Sequence, residues 1–354
     1  MLKYLIRKIY YGILVMLGVV VIVFWLFQGF GDPARLVMGQ RADQATQENI
    51  RKELMLDQPK WKQFLHYLND ISPLSIHSAG YIEEKNLKGI FIPAGGDNRL
   101  AIKLPYLRRS YQTEREVGEM LVEALGGTIV LAVSAMLLAT VMGIFLGVIA
   151  ALNKGTWLDS GSVFASIIGI SAPSFFIGII IAYVFGFLLS HITGLQMTGS
   201  LYEIDPFFGP QLQLKNLILP AITLGIRPLA IITQLTRSSM LDVLEQDFIR
   251  TAYAKGLPTR RIVFVHALRN ALNPVITAIT GWFAELLAGA FFVEYIFGWK
   301  GIGKLTVDAL EKLDFPVVMG AVLISSAFFI LINILADWLY GVIDPRVNPD
   351  RKST

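Results

Sequence analysis

The sequence predicts an all-α membrane protein with six transmembrane helices and a water-facing subdomain between the first two. Hydrophobic residues fill 54% of its 354 positions and charged residues only 16%, whereas soluble domains carry about 25% charged residues. The mean hydropathy is +0.56. The apolar residues are also blocked together: uncharged runs cover 9–31, 124–153, 160–202 and 316–336. Each run exceeds the roughly 18–20 residues that cross a bilayer as helix.

Residues 1–31 form the N-terminal tail and span 1. Lys3, Arg7 and Lys8 precede an apolar run too long for the roughly 7–15-residue centre of a cleavable signal, so span 1 is expected to be a retained anchor. Span 2 is expected at about 128–151. The run 160–202 could hold one helix plus a loop, or two helices broken at Ser171-Ala172-Pro173-Ser174; length favours a single Pro-kinked helix over about 161–189. Spans 4, 5 and 6 are expected at about 217–235, 271–293 and 317–336, with Arg227 inside span 4 and Glu285 inside span 5.

Lys and Arg number 13 in the segments this topology places inside and 4 in the short loops outside, which puts both termini in the cytoplasm. Residues 32–123 are left out of that count because long loops translocate regardless of charge. That segment holds 13 basic and 13 acidic residues, which suits a folded external subdomain. Helical spacing of Ile50 and Leu54, then of Trp61, Phe64, Leu65 and Leu68, predicts two short helices. Apolar strands flanking Pro93-Ala94-Gly95-Gly96-Asp97-Asn98 predict a hairpin.

Several function classes drop out. A net charge of +4, dispersed along the chain, gives no nucleic-acid surface. Zero Cys removes disulfides, thiolate nucleophiles and Cys-ligated metals. None of the four His stands in a metal-ligating or hydrolase motif, so no catalytic or metal-binding residue is assigned.

The inner segment 238–270 reads as helix, break, helix. Ser239 with Asp242 is expected to cap a helix whose buried face is Leu241, Leu244, Phe248 and Ala252, and Gly256-Leu257-Pro258 stops it. Ala252, Ala254 and Gly256 permit close approach of another protein, and Arg250, Lys255, Arg260 and Arg261 can pair with acidic rims. The plainer reading is an amphipathic linker on the inner leaflet.

Arg250-Thr251-Ala252-Tyr253-Ala254-Lys255-Gly256, followed by Val265-His266-Ala267-Leu268-Arg269-Asn270-Ala271, resembles the coupling loop of ATP-binding-cassette (ABC) importer permeases of the dipeptide/oligopeptide/nickel class. Further motifs follow in the same order. They are Gly31-Asp32-Pro33, Leu219-Pro220-Ala221, Leu235-Thr236-Arg237-Ser238-Ser239-Met240, Leu287-Ala288-Gly289-Ala290, Phe297-Gly298-Trp299, Gly301-Ile302-Gly303 and Tyr340-Gly341-Val342-Ile343-Asp344-Pro345-Arg346. The resemblance implies a permease core over 124–346 with a cytoplasmic tail, 347–354, in a bacterial inner membrane. It implies as partners a homologous permease, with a heterodimer expected, two cytosolic ATPases that bind ATP and Mg, and an external substrate-binding protein. The chain would bind no cofactor and catalyse nothing itself. Arg250, Thr251, Ala252, Tyr253, Ala254, Lys255, Gly256, Arg260 and Arg261 would engage the ATPases.

Two features are left. Residues 298–305 nearly spell a phosphate-binding loop, but Leu305 replaces the Ser/Thr whose hydroxyl must reach magnesium. Arg227 and Glu285 lie at matching depths, about 15 and 12 Å from the outer ends of their spans. They either neutralise each other or line the substrate pathway. An ion-coupled secondary transporter using both is the alternative function.

Overall fold

The computed structural model describes residues 2–28 and 58–343. Gly31-Asp32-Pro33, the helical spacing at Ile50 and Leu54, Asp344-Pro345-Arg346 and the tail 347–354 lie outside the described residues. The chain runs α1 (Leu2–Gln28), α2 (Lys60–Ile71), β1 (Leu74–Ser78), α3 (Ala79–Glu84), β2 (Gly89–Pro93), β3 (Asn98–Lys103) and α4 (Val117–Leu152). It continues through α5 (Trp157–Ser171), α6 (Ser174–Ile181) with a π-helical extension over Ala182–Leu188, α7 (Ser190–Thr193), β4 (Tyr202–Asp205), β5 (Gly209–Leu212) and α8 (Lys215–Leu244). The remainder is α9 (Asp247–Ala254), α10 (Thr259–Arg261), a π-helical turn over Ile262–Ala267, α11 (Leu268–Gly289), α12 (Phe291–Ile296), α13 (Ile302–Glu311) and α14 (Phe315–Ile343).

Five of these stretches are long and apolar enough to span a membrane, and the pair formed by α5 and Ser174–Leu188 brings the total to six when counted as one span. That pair departs from the expected kinked helix: its axis turns by 108°. Pro173 disfavours the helical region for the residue before it, and Ala172 accordingly sits at φ −79°, ψ 134°, with Pro173 itself extended. Two successive extended residues break a helix where one proline alone would bend it.

The expected cap at Ser239 does not form either. Residues 238–244 contain no Gly or Pro, so α8 propagates through Ser239 and Asp242 to Leu244. The next helix starts at Asp247, after extended Gln246 (φ −78°, ψ 151°). At the other end α11 stops at Gly289, and Val293, expected inside span 5, belongs to α12. A second hairpin, β4 with β5, occupies part of the loop after span 3 and was not expected.

The fold divides into two compact units. Among the described residues, the first comprises 2–9, 124–304 and 327–343. Its core joins Leu131, Ala135 and Ala139 of α4 to Leu219, Leu224 and Ile232 of α8, Val275 and Leu286 of α11, and Phe297 with Trp299 beyond α12. Small residues on α4 let neighbouring helices approach closely, the usual way membrane helices gain packing contact when lipid is as apolar as they are.

Among the described residues, the second unit comprises 10–28, 58–123 and 305–326. The predicted hairpin pairs Ile90 with Ile102, and β1 adds a third antiparallel strand on the other side of β3. Helix α2 does not bury the face its apolar spacing suggests: Trp61 and Leu65 are more than half exposed, whereas Gln63, Tyr67 and Asp70 are buried. Asp70 explains the inversion. Wholly buried, it accepts from Tyr81 Oη (3.0 Å) and Arg108 Nε (3.2 Å), while its own carbonyl accepts from Lys103 Nζ. Arg108 lies over the Tyr67 ring at 5.2 Å and holds a left-handed φ of +66°, a conformation costly for a residue with a side chain. Burial lowers the Lys103 pKa and raises that of Tyr81. Asp70→Ala leaves the Arg108 charge without its partner and is expected to destabilise this unit by about 3–5 kcal/mol. Proteolysis of the detergent-solubilised protein, with cleavage mapped to residues 58–116, checks this; wild-type resistance would show that the ion pair does not anchor the unit.

Candidate functional site

The segment expected to couple to a partner is a short helix with one fixed and one free face. Helix α9 has eight residues, too few to be stable alone, so tertiary contacts must hold it. Ile249 (1% exposed) and Ala252 (7%) supply them. They join a cluster with Val148 and Ala151 at the end of α4, Met240 and Val243 of α8, Ile262, Val263 and Ala267 of the π-helical turn, and Ala271 of α11. One patch thus touches the ends of three long helices.

Of the nine predicted coupling residues, Ala252 alone points inward. Arg250, Thr251, Tyr253, Ala254, Lys255, Gly256, Arg260 and Arg261 are exposed. Phe248, expected on the buried face, is 41% exposed and stands with Tyr253 as an aromatic projection among the basic residues. Residues 249 and 252 are three apart and 248 and 252 four apart, and both spacings fit a helix face. Sequence alone could not choose between them.

The helix ends in a Schellman motif: Gly256 N–H donates to the Tyr253 carbonyl (2.9 Å) and Leu257 N–H to that of Ala252 (3.3 Å). Gly256 has φ +73°, which a residue with a Cβ adopts only under strain, and the space around it is open. Its role is therefore to turn the chain. Pro258 then directs Thr259 into α10.

Two ion pairs tie the α4–α5 connection to α8. Arg237 grips Asp159 through Nε and through Nη2 (2.8 Å), and Gly155 N–H donates to the same carboxylate (3.0 Å). Lys154 and Glu245 approach to 3.5 Å. The sequence reading placed Lys154 and Arg237 inside but named no partner for either.

Arg227 and Glu285 do meet. Arg227 Nη1 lies 4.0 Å from Glu285 Oε1, and the guanidinium sits 5.3 Å from the Trp282 ring centre. Both side chains are half exposed. Because α11 stops at Gly289, Glu285 lies only about 6 Å from the helix end, half the expected depth.

The third feature is a buried carboxylate that the sequence reading passed over. Glu294 of α12 is wholly buried. Its Oε1 accepts from Thr128 Oγ1 (2.7 Å), and its Oε2 accepts from the N–H groups of Gly303 (2.7 Å) and Lys304 (3.1 Å). Ile302 N–H donates to Thr128 Oγ1 (2.9 Å), and Trp299 Nε1 donates to the Gly127 carbonyl (2.9 Å). A Cβ on Gly301 would stand 2.4 Å from the Glu294 carboxylate, and one on Gly303 would stand 2.4 Å from Phe291 Cα. The near-phosphate loop at 298–305 is thus an anion cradle turned on the protein's own side chain: N–H groups that a phosphate would use are occupied by Glu294. The glycine pattern was the available signal.

The family described as the binding-protein-dependent transport system inner membrane component matches residues 143–349, and its N-terminal component matches 1–81. The chain belongs to this family. The permease is 35% identical over 99% of its length to the di/tripeptide transport system permease protein DppB of Pseudomonas aeruginosa (strain UCBPP-PA14), covering 100% of that protein. It is 35% identical over 98% of its length to the dipeptide transport system permease protein DppB of Escherichia coli (strain K12), covering 99%. Among solved structures, a chain of the MetNI methionine ABC transporter in an inward-facing conformation matches 64% of the permease and 97% of itself, with 15% identity and a TM-score of 0.47. The ion-coupled carrier alternative finds no support among these relatives.

Burial pushes the Glu294 carboxyl up from 4.5 to about 7, against the pull of its three donors. The folded permease therefore holds this proton more tightly than the unfolded chain. The stability it contributes is full below pH 4.5 and is lost as the pH rises through about 7. Glu294→Gln, which cannot titrate, is expected to flatten the decline of melting temperature over that window. An unchanged slope would assign it to another group.

Proposed function

We propose that this permease imports di- and tripeptides or related small solutes across a bacterial inner membrane, with both termini in the cytoplasm. It works beside a homologous permease, with a heterodimer expected, two cytosolic ATPases that hydrolyse ATP with Mg, and an external binding protein. The chain performs no chemistry itself. The names of the relatives support the peptide assignment, and the 13-to-4 distribution of Lys and Arg supports the orientation.

One observation carries the mechanism: α9 exposes Phe248, Arg250, Tyr253 and Lys255 while Ile249 and Ala252 lock it to the ends of α4, α8 and α11. An ATPase gripping the outer face moves three membrane helices at once. The Arg237–Asp159 pair carries the displacement on to α5. Nucleotide binding drives the cycle only insofar as it stabilises inward-open and outward-open states differently.

Gly256→Trp is expected to abolish ATPase capture, but its left-handed φ means that any replacement also strains the turn. Ala254→Trp, exposed and helical, is the cleaner probe. It should insert normally yet lose co-purification of the ATPase. Ile249→Ala is expected to keep capture and lose most transport, because it loosens the inner face with a cavity costing about 2–5 kcal/mol. Full co-purification with Ala254→Trp would remove α9 as the docking element.

A further inference from the structure

The Arg227–Glu285 pair has more hydrogen-bonding capacity than its contacts use. A guanidinium has five N–H donors and a carboxylate about four acceptor sites, yet these two side chains approach only to 4.0 Å, outside hydrogen-bond range. Among the described residues, the other contact of either group is the Trp282 face under Arg227. The Arg237–Asp159 pair in the same unit is closed by two hydrogen bonds. The two pairs therefore differ in kind.

Both groups of the loose pair are half exposed in the isolated chain. A charge turned to lipid is costly. The exposed side must therefore meet water or protein. Under the proposed orientation it lies in the outer half of the membrane, where a solute released by an external binding protein enters.

We propose that Arg227 and Glu285 form an exchangeable ion pair that reads the zwitterionic ends of a short peptide; this rests on the importer reading above. The peptide's carboxylate replaces Glu285 on Arg227, which can hold it bidentately while Trp282 backs the guanidinium. Its terminal ammonium takes the Glu285 carboxylate that this frees. A fully extended dipeptide spans at most about 7 Å. Meeting those ends from one side of the peptide needs the two groups about 7 Å apart, an opening of roughly 3 Å that rotamer changes in two long, exposed side chains can supply. Neither charge is left unpaired at any stage, because one ion pair becomes two. A peptide lacking either terminal charge would leave one of the two groups unmatched.

The test uses the complete importer in cells and in reconstituted vesicles, with radiolabelled alanyl-alanine as the probe. Arg227→Gln/Glu285→Gln removes both charges together and leaves no lone ion to disrupt the spans. The expected result is normal assembly with the partner subunits, with uptake reduced about tenfold or more. Arg227→Lys, which keeps the charge but loses the fork, is expected to raise the KM for uptake more than it lowers the maximal rate. Unchanged uptake by the double variant would overturn the inference, and so would failure of that variant to assemble, which would show a purely structural pair. A wild-type importer that assembles but takes up no dipeptide would instead sink the peptide assignment.

Discussion

A motor outside the membrane can move helices inside it only if the part it grips cannot slide on them. In the coupling role proposed for α9, that requirement falls on Ile249 and Ala252. An eight-residue helix has no stability of its own, so α9 exists only as docked by these two side chains. Helix formation and attachment are therefore one event. The residues around it are Val, Ala, Met and Ile, which pack at crystal-like density and transmit displacement without absorbing it. Extended Gln246 starts the docked helix and the Schellman turn at Gly256 ends it, so both its ends are defined by backbone geometry, and extended Pro258 then fixes where α10 begins.

The opposite arrangement governs Glu294. A carboxylate removed from water needs donors, and the loop after α12 supplies them from backbone N–H groups at the start of α13 together with Thr128 of α4. Glycine at 301 and 303 is needed because the carboxylate and Phe291 occupy the space a side chain would take. The geometry that elsewhere binds a nucleotide phosphate here joins α12 to Thr128 and to the N–H groups of Gly303 and Lys304 through an internal carboxyl group. A motif of this type reports a need for negative charge near backbone donors. Whether that charge comes from a ligand or from the chain depends on what lies opposite the loop.

The spans were legible because bilayer thickness imposes a length that few other constraints imitate, and the family motifs single out the segment 250–271 by residue identity. The hairpin around Gly95-Gly96 was legible for the same reason: glycines there adopt positive φ. Phase and partners were not. The break at Ala172-Pro173 and a kink at one proline look alike in sequence, since the difference lies in the backbone of the residue before it. The inward turn of Ile249 in place of Phe248 depends on which helices surround α9. Helix α2 misled because its fixed point is the charge of Asp70, matched by Arg108 some forty positions later, and an apolar-periodicity argument gives no weight to that residue. Arg227 and Glu285 could be named as charges within spans, but the half-depth of Glu285 followed from where α11 ends.

The two ion pairs of the membrane unit complete the picture through their contrast. Arg237 and Asp159 are joined through two nitrogens and two oxygens, with a backbone N–H added, which resists shear between the elements they connect. Arg227 and Glu285 face each other without a hydrogen bond and with water-accessible surface on both. A pair of the first kind suits transmission, because its geometry must survive each cycle. A pair of the second kind suits exchange, because its separation leaves little attraction to break at half exposure and leaves its donors and acceptors available. A transporter needs both properties in one set of helices: stiffness where displacement enters and replaceable contacts where cargo passes. In this chain Arg227 and Arg237 lie on the same helix, α8, ten residues and about 15 Å apart, so in the proposed cycle α8 links the one pair to the other.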